Sequence, residues 1–107
     1  MHVRHLPTFV SVEPANICQL HCPECPVGMR QYAPSDTHFL SLELFDRILS
    51  EVQTTAHTMQ FYFQGEPLLN KHLPEMIARA HQVGIYTIVS TNAQTINKEW
   101  ANALVKS

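Results

Sequence analysis

Three β-branched, apolar runs, each followed by an amphipathic segment, restrict the fold of this chain more than any other feature. Thr8-Phe9-Val10-Ser11-Val12 alternates in polarity and reads as a strand ending near Glu13-Pro14. Thr58-Met59-Gln60-Phe61-Tyr62-Phe63 reads as a second strand, broken by Gln64-Gly65-Glu66-Pro67. Ile85-Tyr86-Thr87-Ile88-Val89 reads as a third, ending in Ser90-Thr91-Asn92. Strands that alternate with helices imply a parallel sheet joined by right-handed crossovers. The expected class is therefore α/β, built from about three βα units.

The helical segments carry their own signals. Ser41 is an N-cap candidate before a stripe of Leu44, Ile48 and Val52, flanked by Phe45 and Leu49. Asn70 is a candidate cap for a second helix whose apolar side is Leu73, Met76, Ile77, Ala80 and Val83. Pro74 falls in its first turn, where no intrahelical N–H is needed, and Gly84 is placed to end it in a left-handed conformation. A last helix is expected from about Asn97, with Trp100, Ala103 and Leu104 on one side. Ala15 to His38 lacks periodicity and reads as a long loop, a length usually associated with function or disorder.

A closed eight-stranded α/β barrel takes about 250 residues. A chain of 107 residues has room for about three βα units, with the third strand left as an unpaired edge. Residues 1–107 are thus expected to form a truncated, partial (β/α) barrel. A small three-stranded domain complete in itself is the alternative.

The three cysteines, Cys18, Cys22 and Cys25, fall in a C-x3-C-x2-C pattern directly after the first strand. An odd number packed so closely is a poor disulfide framework, and the first residues show no secretory pattern. The expected compartment is the cytoplasm, where such a cluster binds metal. Three thiolates can hold three corners of a [4Fe–4S] cluster and leave one iron open to a small chelating molecule. The competing reading is a zinc site of the three cysteines with His21 or another histidine.

The spacing resembles the signature of the radical S-adenosylmethionine (radical SAM) superfamily, whose cluster cysteines also follow the first strand. The resemblance extends from about Phe9 to Asn92 and is nearest to SPASM-type and molybdenum-cofactor-biosynthesis-like members. It implies that Cys18, Cys22 and Cys25 ligate the cluster. Gln64-Gly65-Glu66-Pro67 is similar to the family's Gly-Gly-Glu-Pro motif, which holds the SAM amino group. Glycine permits close approach of the main chain, Glu66 can accept from an ammonium, and Pro67 stiffens the exit. Ser90, Thr91 and Asn92 are similar to a strand end that lies near the SAM carboxylate. The sequence departs from the family at Glu24, where an aromatic residue is common, at Gln64, and at Ala93, where relatives have glycine.

The resemblance implies one-electron, oxidoreductase-type chemistry. Reductive cleavage of SAM would give a 5′-deoxyadenosyl radical that abstracts hydrogen from a substrate of unknown identity, with a flavodoxin- or ferredoxin-type electron donor. Besides zinc binding, an inactive fragment is the other alternative. A net charge of −2 with scattered basic residues recommends no nucleic-acid partner, and no apolar run approaches the roughly 20 residues needed to cross a bilayer. His5, His38, His57, His72 and His81 show no ligand spacing and read as surface or capping positions, and Met29, Arg30 and Tyr32 read as solvated loop, with a lining of the loop near the cluster as the alternative.

Overall fold

The computed structural model describes residues 6–107; the readings made of the leading residues and of His5 lie outside them. Three strands, β1 (Phe9–Val12), β2 (Thr58–Phe61) and β3 (Tyr86–Val89), alternate with three helices, α1 (Leu42–Val52), α2 (Leu73–Gln82) and α3 (Lys98–Lys106). The strands pair in parallel in the order β1-β2-β3, so β3 is an edge as expected. The register aligns Val10 with Met59 and Thr87, and Val12 with Phe61 and Val89.

Because side chains alternate along a strand, this row of six faces the helices and builds the core. Met59 and Phe61 are fully buried, and the Phe61 ring stacks obliquely on Phe45 of α1 at 5.8 Å between centroids. The opposite row, Phe9, Ser11, Thr58, Gln60, Tyr86 and Ile88, carries no helix. Tyr86 is accordingly 70% exposed.

The cap read at Ser41 is present, accepting from Leu44 N at 3.1 Å, and Asn97, where the last helix is expected to start, caps α3 by accepting from Trp100 N at 2.8 Å. The α1 stripe differs from expectation. Burial centres on Phe45 and Leu49, whereas Leu44 is 47% exposed. Leu44 precedes Phe45 by one residue, about 100° around the helix, which turns it off the packed face.

Helix α2 buries Leu73, Met76, Ile77 and Ala80, with Pro74 in its first turn. Val83, expected on that face, is exposed instead. Gly84 adopts φ +81 and turns the chain off the helix axis. The N–H of Gly84 bonds to His81 O and that of Ile85 to Ala80 O, at 2.9 and 3.1 Å, so Ile85 takes the buried place. This is a Schellman closure, and it explains why β3 begins at Tyr86 rather than Ile85.

Asn70 does not cap α2. His72 occupies that position without a side-chain bond, and Asn70 is buried. Its Nδ2 donates to Pro14 O and Leu40 O at 2.8 and 2.9 Å, while its Oδ1 accepts from His72 N at 3.0 Å. One amide thus ties both ends of the long loop to the start of α2. The loop is further closed by an antiparallel bridge between Ala15 and Phe39 and contains a 3-10 turn, Pro34–Asp36, that its sequence pattern did not announce.

Trp100 and Leu104 of α3 pack half-buried against the core, and Arg79 of α2 pairs with both Asp46 of α1 and Glu75. No helix among the described residues is long and apolar enough to cross a membrane. From the packing, Phe61→Ala should lose about 3–5 kcal/mol in urea unfolding. Leu44→Ala should stay within about 0.5 kcal/mol of the parent, reflecting its turned position on α1.

Candidate functional site

Strand β2 ends at Phe61, two residues earlier than its apolar run suggests, because the chain leaves the sheet at Tyr62 and bends. That bend brings Gln64, Gly65 and Glu66 beside the loop after β1 and the segment after β3. All three segments lie at the C-terminal ends of parallel strands, where α/β barrels carry their chemistry. Between them opens a cleft of about 240 Å³ lined by Cys18, Cys22, Cys25, Gln64, Gly65, Glu66, Ser90, Thr91 and Asn92. Of the residues that the resemblance assigns to the cluster and SAM, only Pro67 does not line it; Pro67 is buried behind, opening the 3-10 turn Pro67–Leu69.

The cysteine loop is shaped by backbone contacts. Cys25 N donates to Cys22 O at 3.2 Å and Met29 N to Cys25 O at 2.8 Å, curling the chain around the thiols. Gly28 closes this curl. A Cβ there would stand 2.6 Å from both the N and O of Cys22, so only glycine fits. All three thiols are free. Cys18 Sγ accepts from Leu20 N at 3.5 Å and from Asn92 Nδ2 at 3.4 Å, and the Cys25 thiol points to Gln64 O at 3.7 Å.

Gly65 is required for a different reason. A Cβ at this position would meet Ala15 O at 1.6 Å, because the β1 and β2 loops cross in direct backbone contact. Glu66 N donates to Ile17 O at 2.8 Å across the same crossing. Glu13, overlooked in the sequence, completes it: one oxygen, Oε1, accepts from Gln64 N and Gly65 N at 2.8 and 3.1 Å. Its one visible signal is a carboxylate at the end of a strand, directly before Pro14.

Glu66 is 2% exposed, and its carboxylate is held from three directions. Oε1 accepts from Leu68 N at 3.0 Å and the Thr91 hydroxyl at 2.6 Å, and Oε2 accepts from Asn92 N at 2.8 Å. An ionised carboxylate offers about four acceptor positions, so one remains, on Oε2. The Thr91 hydroxyl also accepts from Ala93 N at 3.0 Å, which commits it to the turn. Ala93 has φ 61, the left-handed conformation that glycine adopts most readily.

Tyr32, exposed on the loop as expected, donates to Gln64 Oε1 at 2.9 Å. Arg30 sits with φ 54 and contacts the His21 ring at 3.3 Å, while the other ring nitrogen of His21 faces Gly28 O at 3.4 Å. His21 does not line the cleft. Leu20, Tyr62 and Phe63, which the motif reading passed over, add apolar lining, and Phe63 is 69% exposed.

Among the described residues no group of three or more His, Cys, Asp or Glu converges on a point where one ion could sit. Three thiols around one cleft can serve a polynuclear group, in which each sulfur binds its own iron. The N–H donors at Cys18 and the glycine-lined curl behind Cys22 fit the same kind of group.

Comparison with known proteins agrees with this geometry. The family model described as the radical SAM superfamily matches residues 12–107. The PqqA peptide cyclase of Rhodopseudomonas palustris is 31% identical over 101 residues, covering 92% of this chain and 26% of that protein. The Fe-coproporphyrin III synthase of Methanosarcina barkeri is 31% identical over 91 residues, covering 81% of this chain and 21% of that protein. The chain thus spans about a quarter of the length of these curated relatives. Among solved structures, BtrN in complex with AdoMet and 2-DOIA superposes with a TM-score of 0.79 at 22% identity, over 94% of this chain and 42% of that one. BtrN in an open conformation gives 0.79 at 20% identity, over 97% and 47%. These two likenesses establish the fold.

The crossing of the first two loops can be tested directly. Glu13→Ala leaves two backbone N–H groups without their acceptor and should destabilise the chain by about 1–3 kcal/mol. Hydrogen exchange at the Gln64 and Gly65 amides should accelerate at least about tenfold, while amides in the centre of α2 change less.

Proposed function

The chain belongs to the radical SAM superfamily, and on that premise we propose that it is the [4Fe–4S]- and SAM-binding part of a radical SAM enzyme. The observation that carries this reading is the meeting, in one cleft, of three free thiols with the Gly65-Glu66 turn and the Ser90–Asn92 strand end. When bound, the cluster and SAM supply one-electron reductive cleavage of the sulfonium carbon–sulfur bond and, through it, hydrogen abstraction from a substrate.

The roles of the residues follow from their places. Cys18, Cys22 and Cys25 would hold three irons, leaving the last iron for SAM. The Gln64-Gly65 main chain and the remaining acceptor position of Glu66 would bind the SAM amino group, with Pro67 bracing the turn from behind. Ser90, Thr91 and Asn92 frame the opposite side, where the exposed Ser90 would face the SAM carboxylate. The protein's contribution is orientation and exclusion of water, while the reactivity belongs to the cofactors.

Residues 1–107 are read as the N-terminal part of a radical SAM core. Its uncovered sheet face and edge strand would be completed by further βα units, in keeping with the length of the SPASM-type relatives. The electron would come from a flavodoxin- or ferredoxin-type donor in the cytoplasm.

Electron paramagnetic resonance on anaerobically reconstituted, dithionite-reduced protein tests the proposal. A [4Fe–4S] signal that changes on addition of SAM and disappears in Cys22→Ala is expected. Soluble, folded protein that takes up stoichiometric zinc and no cluster would overturn it.

A further inference from the structure

The contact between Asn92 and Cys18 joins residues 74 positions apart and has a consequence for electron transfer. We propose that the Asn92 side-chain amide is a positioning residue that raises the reduction potential of a cluster held by Cys18, through an N–H···S hydrogen bond delivered from the end of β3. The inference rests on the cluster reading above and goes beyond it, since it assigns Asn92 to the sulfur rather than to SAM.

The orientation of the amide is determined by its other partners. Asn92 Oδ1 accepts from the Gln94 backbone N–H at 3.0 Å and from Gln19 Nε2 at 3.2 Å. A backbone N–H can only donate, so the amide cannot be flipped without placing donor against donor. Nδ2 therefore faces Cys18 Sγ, at 3.4 Å. The main chain is held as firmly, because Asn92 N donates to the buried Glu66 carboxylate at 2.8 Å. The donor is thus in place before any cofactor arrives.

Its effect follows from charge. Reduction adds an electron to the cluster and its thiolates, and an N–H dipole aimed at sulfur stabilises that added negative charge. Cys18 receives two such donors, Leu20 N and Asn92 Nδ2. Each of Cys18 and Cys25 also faces an amide oxygen, Gln19 Oε1 at 3.8 Å and Gln64 O at 3.7 Å, so the two N–H donors are what set Cys18 apart. The Asn92 bond crosses from β3, so the potential depends on how the β3 end is held as well as on the cysteine loop.

The test is a redox titration of the reconstituted full chain, followed by electron paramagnetic resonance without SAM, which removes any effect of SAM binding. Asn92→Ala should weaken the electron affinity about tenfold, a shift of roughly 59 mV to more negative potential. Asn92→Asp keeps the shape and the oxygen that accepts from Gln94, and it carries the test if the alanine variant does not fold. It places an oxygen against sulfur and should shift the potential further in the same direction. Variants that hold a cluster at the wild-type potential would overturn the inference, as would loss of the cluster from both variants while the wild type keeps it. Failure of the wild type itself to take up a cluster would instead overturn the functional reading.

Discussion

The Glu66 carboxylate, in the wall of the cleft, joins the turn after β2 to the segment after β3. Burying a carboxylate is costly unless its oxygens are well partnered. Here three donors from two segments provide the partners: Leu68 N beside it, and the Thr91 hydroxyl and Asn92 N from the end of β3. Those donors would in turn be stranded without the carboxylate, so the group acts as a bolt between the ends of β2 and β3. The direction of Asn92, and with it the contact to Cys18, depends on that bolt.

A second constraint acts on the other flank. The loops after β1 and β2 cross with so little space that the carbonyl of Ala15 occupies the place of a Gly65 side chain. Glu13 then collects the N–H groups of Gln64 and Gly65 that this crossing leaves unpaired. The result is a turn whose backbone is held from below by Glu13 and Glu66 while its upper side borders the cleft. Where the sequence departs from its relatives, the structure shows local adjustment. Gln64 gains a partner in Tyr32, and Ala93 accepts a left-handed backbone in place of glycine. Glu24 is exposed on the cysteine loop.

Much of the fold was legible because its signals are local. Alternation in Val10-Ser11-Val12, the cap Ser41, the helix start at Asn97 and the helix stop at Gly84 each act over a few residues and need no distant partner. The misplacements have the opposite character. Asn70 resembles a cap by its neighbours, yet its amide is claimed by Pro14 and Leu40 from distant parts of the chain. Leu44 is as apolar as Leu49, and only the angle at which α1 meets the sheet decides which of them is buried. The role of Glu13 and the steric need for Gly28 went unread because both consist entirely of contacts with backbone atoms.

The sequence by itself determined the chemistry on offer: three closely spaced thiols, a Gly-Glu-Pro turn and a polar strand end, each following a strand. Residue type and short-range spacing are sufficient for that, since thiol, carboxylate and glycine properties do not depend on the fold. Only the tertiary structure decided which groups remain available. Parallel pairing of β1, β2 and β3 brings the three segments together at one end of the sheet, and the hydrogen bonds formed there consume most of their polar capacity. Thr91 and most of Glu66 are thereby turned to holding the cleft, and the Asn92 amide is turned to sulfur, because a buried polar group must be satisfied by whichever partner the fold places beside it.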